Sequence, residues 1–294
     1  MKWDVTKQHE GLLLRDYLLK VIGISRRMLT AIKFDEGKLL VNNMEVNVRY
    51  RLMARDQIKI ILPQETRSKL LVAENISIDI VYEDEHIIVI NKPPFIATIP
   101  SRDHPSHTLA NGIINYYDNH NIPYTVHIVT RLDRDTSGLM LIAKHRYSHS
   151  ILFHDQQEHN VNRGYLAMVS GNLHNERGTI TDPIARDPES IITRRVSQHG
   201  KRAITHYQVR EQLDALALLE IHLETGRTHQ IRVHFSSIGH PLIGDDLYGG
   251  SMETIQRQAL HCHQLSFDHP IKKERMQFEI PLAKDLKQAW EAYK

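Results

Sequence analysis

Arg131, Asp133 and Asp135 lie close together in the chain, followed by the turn Thr136-Ser137-Gly138 and the apolar run Leu139-Met140-Leu141-Ile142-Ala143. An apolar run of this length, bounded by a turn, reads as a buried strand. Carboxylates packed against such a strand need partners, because an unpaired one is costly or simply protonates. A free Asp titrates at about 3.9, and an adjacent arginine would hold it ionised. An ionised carboxylate held this way can attack an electrophile or accept a proton. A salt-bridged surface turn would place the same residues, and this segment alone leaves both readings open.

A second segment, Glu224-Thr225-Gly226-Arg227-Thr228-His229-Gln230-Ile231-Arg232-Val233-His234, follows the apolar stretch 215–223. Gly226 suits a tight turn, and Thr228 is the expected N-cap of a helix ending near Gly239. Ile231, His234, Phe235 and Ile238 keep the spacing of a core-facing stripe. Arg232 falls one position off it, at the edge of the buried face, where it can reach inward to a carboxylate.

These segments resemble the signature motifs of the RluA/RluD-type RNA pseudouridine synthases. The resemblance rests on Arg131-Leu132-Asp133 with Asp135-Thr136-Ser137-Gly138, and on Gly226-Arg227-Thr228-His229-Gln230-Ile231-Arg232. Tyr82-Glu83-Asp84-Glu85-His86 through Asn91-Lys92-Pro93 resembles the opening strand pair of that family, and Arg163-Gly164-Tyr165-Leu166-Ala167 its tyrosine motif. With Gly244-Asp245 and Arg257-Gln258-Ala259-Leu260-His261, the matches run in order from about Tyr82 to the C-terminus. Two positions depart from the pattern. Thr130 stands where the family usually has His, and Ile96-Ala97-Thr98-Ile99-Pro100 replaces a Val-Val-His-Pro type sequence. Neither removes Asp133, Tyr165 or Arg232, so they bear on target choice.

The resemblance implies an isomerase that detaches a uracil from its ribose, turns it and rejoins it through carbon 5. Nothing is oxidised and no group enters or leaves, so no cofactor is expected. Asp133 would be the catalytic carboxylate, as nucleophile or as base, with Arg232 as its partner. Tyr165 would pack on the uracil, a contact worth about 1–3 kcal/mol, and its phenol is a candidate to deprotonate carbon 5. Ordinary core packing is the other reading of Tyr165. A target inside structured RNA must be flipped out. Arg131 would fill or steady the vacated space, or contact a phosphate. Arg227 and His229 are further expected RNA contacts. Ribosomal RNA of the large subunit is the first expected partner and transfer RNA the second.

The chain has 294 residues, enough for one large core and a small appended domain. Its 41% hydrophobic and 24% charged residues are those of an ordinary globular protein. The single cysteine, Cys262, excludes an intrachain disulfide and fits a reducing compartment. No apolar run is long enough to span a membrane, and Arg15, Asp16 and Lys20 interrupt the N-terminal apolar stretch, so a cytoplasmic monomer is expected. Net charge is +2, but residues 1–62 hold twelve Lys/Arg against seven Asp/Glu. A basic excess in a small domain is what phosphate attraction requires, although a solvated lysine-rich surface also produces one.

Within residues 1–62, Leu12, Leu13, Leu14, Tyr17, Leu18 and Val21 fit one amphipathic helix. Ser25 would cap a second, carrying Arg26, Arg27 and Lys33, which Gly37 stops. Strands at 39–41 and 44–46 around Asn42-Asn43, and at 56–61, would come next. This order resembles the alpha-L RNA-binding motif of ribosomal proteins, which implies RNA contacts for Arg26, Arg27 and Lys33. Residues 63–75 read as a linker. In residues 76–294, strands at 78–82, 87–90, 139–143, 165–169, 203–209 and 215–223 dominate, flanked by helices at 109–117, 148–157, 228–238 and 284–292, with few long alternating crossovers. The pattern predicts an α+β fold, with a mixed, mainly antiparallel sheet and flanking helices.

Twenty histidines invite a metal reading, but His261 and His263 would share one strand face with Cys262 on the other, so no metal is expected. Asp133-x-Asp135 with Asp245-Asp246 faintly resembles a magnesium-dependent phosphotransferase of the haloacid dehalogenase type. That reading wants its apolar strand before the first Asp, whereas here the strand comes after it. A third reading is a non-catalytic, ribosome-associated RNA-binding protein.

Overall fold

The first 62 residues build a sheet of their own. A computed structural model, describing residues 1–69 and 71–294, places there β1 (Lys2–Asp4), α1 (Leu14–Lys20), α2 (Arg26–Phe34), β2 (Lys38–Val41), β3 (Met44–Glu45) and β4 (Gln57–Ile61). The strands are ordered β1-β4-β2-β3. Asn42 and Asn43 both adopt positive φ, 51° and 65°, as a two-residue hairpin turn requires. Ser25 caps α2, its hydroxyl accepting from the Met28 N–H at 3.2 Å. The first helix is shorter than its apolar run: Leu13 bridges to Arg51 in extended form, and Leu12 and Val21 are exposed.

The described residues of 63–75 carry no helix or strand, and residue 70 lies outside the described residues. The segment is nonetheless strapped to the larger part of the chain. Glu65 accepts from the backbone of Thr125 and Arg146 and from His127, while Arg67 donates to the carbonyls of Tyr124 and Ile122.

The remaining chain forms β5 (Ile80–Glu83), β6 (Ile87–Lys92), α3 (Leu109–Asn119), β7 (His127–Ile128), β8 (Ser137–Ala143), α4 (Arg146–Gln157), β9 (Asn162–Ser170), β10 (Arg177–Ile180), β11 (Ile184–Arg186), β12 (Arg194–Val196), β13 (Thr205–Gln212), β14 (Leu216–Leu223), α5 (Gln230–Ser237), β15 (Leu260–Asp268), β16 (Arg275–Glu279) and α6 (Lys284–Tyr293). A large sheet runs β10-β13-β14-β9-β15-β8-β6-β5, with β16 on β15 and β7 on β8; β11 and β12 pair separately. The pairings in the large sheet are antiparallel except β8 with β15, so the sheet is mixed and mainly antiparallel, as its sequence pattern predicted.

Every residue of β8 is buried. Each of its large apolar side chains contributes about 1.5–3 kcal/mol of burial, which fixes the strand at the centre of the core. Gly138, at φ 117°, lets β8 approach β15: a Cβ there would overlap the Cys262 backbone. The N-terminal sheet and its helices pack on α4. Tyr147 enters their core, donates to the Ile22 carbonyl at 3.0 Å and meets Trp3 edge-on.

Candidate active site

Asp133 sits in the loop that enters β8, and the backbone on both sides of it is tied down. Thr98 donates to the Leu132 carbonyl at 2.8 Å, Lys92 to Arg134 at 2.8 Å and Arg257 to Asp135 at 3.0 Å. Lys92 also donates to the carbonyls of Pro93 and Ile96. Burial pushes the Lys92 amine down to about 7, against the pull of Asp135. Three carbonyl acceptors nevertheless require three N–H donors, which only the ammonium supplies.

Arg232 on α5 is 4% exposed and reaches inward. Its principal partner is not Asp133, as the sequence suggested, but Asp245, held through two bonds of 2.7 Å. This fork-on-fork geometry fixes the guanidinium plane. The remaining nitrogen, Nη1, reaches Asp133 Oδ2 at 3.4 Å. Burial opposes the Arg232 charge, but Asp245 and Asp133 more than offset it and raise the pKa.

His229 approaches the same oxygen, with Nε2 3.8 Å from Asp133 Oδ2. Its Nδ1 lies 2.8 Å from the Tyr248 hydroxyl, and the Tyr248 ring sits under Arg232 at 5.0 Å. Asp133 Oδ1 accepts no hydrogen bond among the described residues.

These groups open onto a cleft of about 770 Å³ lined by Asp133, Tyr165, Arg232, His229, Arg131 and Arg227, among others. Six of the residues singled out from sequence therefore converge, although they come from distant parts of the chain. Tyr165 lies on β9 between Ile221 of β14 and Cys262 of β15. Burial pushes the phenol pKa up. Arg131 is exposed at the rim and has no ion-pair partner among the described residues. Arg227 donates to the Arg202 carbonyl. Arg26, Arg27 and Lys33 are exposed on α2 and do not line the cleft.

The helix itself differs from expectation at both ends. Residue 229, not Thr228, is the N-cap, and it adopts a left-handed conformation at φ 58° without a side-chain cap. The turn before it is closed by Gln230, which accepts from the Arg227 N–H and the Thr225 hydroxyl and donates to the Ile204 carbonyl. Ile238 falls past the last turn and is exposed, while Ile231, His234 and Phe235 are buried as the stripe predicted. Gln230, Asp245 and Tyr248 were missed as site residues; Gln230 and Asp245 stand within quoted motifs, and nothing signalled Tyr248.

Residues 86–237, about half of the chain, match the RNA pseudouridylate synthase family. The chain is 51% identical over 265 residues to the uncharacterized RNA pseudouridine synthase YjbO of Bacillus subtilis, covering 90% of this chain and 94% of that protein. The chain belongs to the RNA pseudouridylate synthase family. The synthase is also 39% identical to ribosomal large subunit pseudouridine synthase D of Pseudomonas aeruginosa, covering 85% and 82% of the two chains. In fold it is similar to human RNA pseudouridylate synthase domain containing 1, with a TM-score of 0.58, 24% identity and coverage of 78% and 97%. It is thus an isomerase that converts uridine to pseudouridine in RNA.

The two departures from the family pattern have structural explanations in the synthase. Thr130 is buried, accepts from the Leu141 N–H at 2.9 Å and does not line the cleft. Thr98 is the residue that anchors Leu132 beside Asp133. A phosphotransferase would need Asp133, Asp135 and Asp245 free around a cation. Instead Arg232 takes both oxygens of Asp245, and Arg134 takes both oxygens of Asp135. His261 bonds to Ser137 and Pro281, the Cys262 thiol donates to the Gln264 carbonyl, and His263 Nε2 is buried without a hydrogen-bond partner among the described residues.

Proposed function

We propose that Asp133 is the reacting carboxylate and that large-subunit ribosomal RNA is the substrate, with transfer RNA second. The observation that carries the first part is the asymmetry at Asp133: Arg232 and His229 both approach Oδ2, and Oδ1 is left for the ribose. The N1–C1′ bond breaks, the base turns, and C5–C1′ forms; the proton on carbon 5 leaves and N1 gains one. Tyr165 packs the detached uracil, and Arg131 steadies the space that the base vacates or binds a phosphate. Arg227 contributes a positive charge at the rim.

The ribosomal target is supported by the relatives named for the large ribosomal subunit. We read residues 1–62 as an alpha-L type RNA-binding domain whose Arg26, Arg27 and Lys33 grip phosphates, residues 63–75 as the linker and 76–294 as the catalytic domain. One copy suffices, since one chain lines the cleft, and we read the synthase as a cytoplasmic protein. Tritium release from RNA labelled at uridine carbon 5 tests it, with transcripts of large-subunit ribosomal RNA and transfer RNA, for the wild type and Asp133→Ala. Release from ribosomal RNA by the wild type alone is expected. Release only from transfer RNA would overturn the target, and release by Asp133→Ala would overturn the residue.

A further inference from the structure

The Tyr248 hydroxyl is the hub of a short chain of contacts that ends at Asp133. It accepts from the Arg194 N–H at 2.9 Å, and it lies 2.8 Å from His229 Nδ1. A phenol has one hydrogen to give. Donated to Nδ1, it makes that nitrogen an acceptor and places the imidazole hydrogen on Nε2, which faces Asp133 at 3.8 Å.

We propose that Tyr248 and His229 are positioning residues: Tyr248 locks His229 in the neutral, Nε2–H tautomer, and that neutral donor steers Asp133 through Oδ2 without adding a second cation. The inference rests on the reading of Asp133 as the reacting group. Its physical reason is charge. Arg232 already places one cation beside the carboxylate, and a second would make Asp133 a poorer nucleophile and a poorer base. Protonating His229 would require a hydrogen on Nδ1, where the Tyr248 hydrogen already points. The groups facing His229 are Asp133 and Asp245, which favour its cation, Arg232 and Arg194, which oppose it, and Tyr248. Burial is the largest influence and lowers its pKa. The left-handed backbone at His229, a strained conformation for a side chain of this size, aims the ring at both partners.

The test has two readouts on the intact protein. Imidazole nitrogen-15 spectra, with the His229 signal assigned by its loss in His229→Gln, are expected to show hydrogen on Nε2 and none on Nδ1 near neutral pH. In Tyr248→Phe the His229 midpoint should move to higher pH. Tritium release from large-subunit ribosomal RNA across the same pH range should change in step: the acid limb of kcat moves upward in Tyr248→Phe and disappears in His229→Gln, whose amide is a donor that does not titrate. An Nδ1–H tautomer, or an unmoved midpoint in Tyr248→Phe, overturns the lock. A midpoint that moves while the acid limb does not overturns the catalytic consequence. Absence of release by the wild type would instead refute that RNA as substrate, and the spectra would still decide the state of His229.

Discussion

Arg232 and Asp133 meet through one pair of atoms, Nη1 and Oδ2, 3.4 Å apart. The contact is long because the rest of the guanidinium is committed to Asp245. Asp133 is therefore held near a fixed charge without being captured by it, and its other oxygen stays available.

If that oxygen reacts, Asp133→Asn removes the chemistry and keeps the shape. Turnover should fall by about 10²–10⁴-fold or more, with RNA affinity retained. Tritium release and filter binding on the same RNA measure the two quantities. A variant within tenfold of wild type, on the order of 1.4 kcal/mol in barrier, would remove Asp133 from the mechanism.

Asp245 is fully buried, and it neutralises a buried arginine. Asp245→Ala leaves that charge without its main partner, which should cost about 3–5 kcal/mol. For a chain of this size the melting temperature should drop by roughly 5–8 °C. Calorimetry would reveal it, and a loss under about 2 °C would mean that Arg232 finds another partner.

Arg26 and Arg27 start α2, exposed and unpaired among the described residues. Replacing both with alanine should weaken RNA binding and reduce the slope of log K against log salt by about 1.4–1.8. An unchanged slope would show that this helix does not touch phosphate.

His145 carries an acid sensitivity away from the cleft. Its Nδ1 accepts from the Ser148 N–H at 3.2 Å and its Nε2 meets His86 at 2.9 Å. Burial, reinforced by His86, lowers its pKa to about 3 from 6.5. The unfolded chain therefore binds this proton first as pH falls. Stability from the neutral ring is complete above the unfolded value and is lost between about 6.5 and about 3. Urea unfolding of wild type and His145→Asn across that window should converge as the pH drops; parallel curves would show that His145 titrates alike in both states.

Much of this molecule was legible because its signals are local. The apolar run in β8, the Ser25 cap and the Asn42-Asn43 hairpin each depend on neighbours in sequence, and each formed. Asp133, Tyr165 and Arg232 were found through motif resemblance, and the cleft gathers them. The partner of Arg232 was not legible, since Asp245 lies in an irregular turn with no periodicity to link it to α5. Thr228 looked like a cap because side-chain type suggests one. Gln230 closes that turn instead, and only the tertiary contact with residues 204 and 205 makes this possible.

The parallel pairing of β8 with β15 joins Ser137 to His261 and Gly138 to Cys262. Arg257, just before β15, supplies one of the ties on the loop around Asp133. During synthesis, a ribosome must therefore make nearly the whole chain before the loop around Asp133 has its supports. Contacts this far apart in sequence form late, since closing the long intervening loop comes first. The supports of that loop are thus complete only after β15 has been made. A chain stalled on the ribosome before residue 255 should release no tritium, and activity from such a chain would show that β15 is not needed to assemble the site.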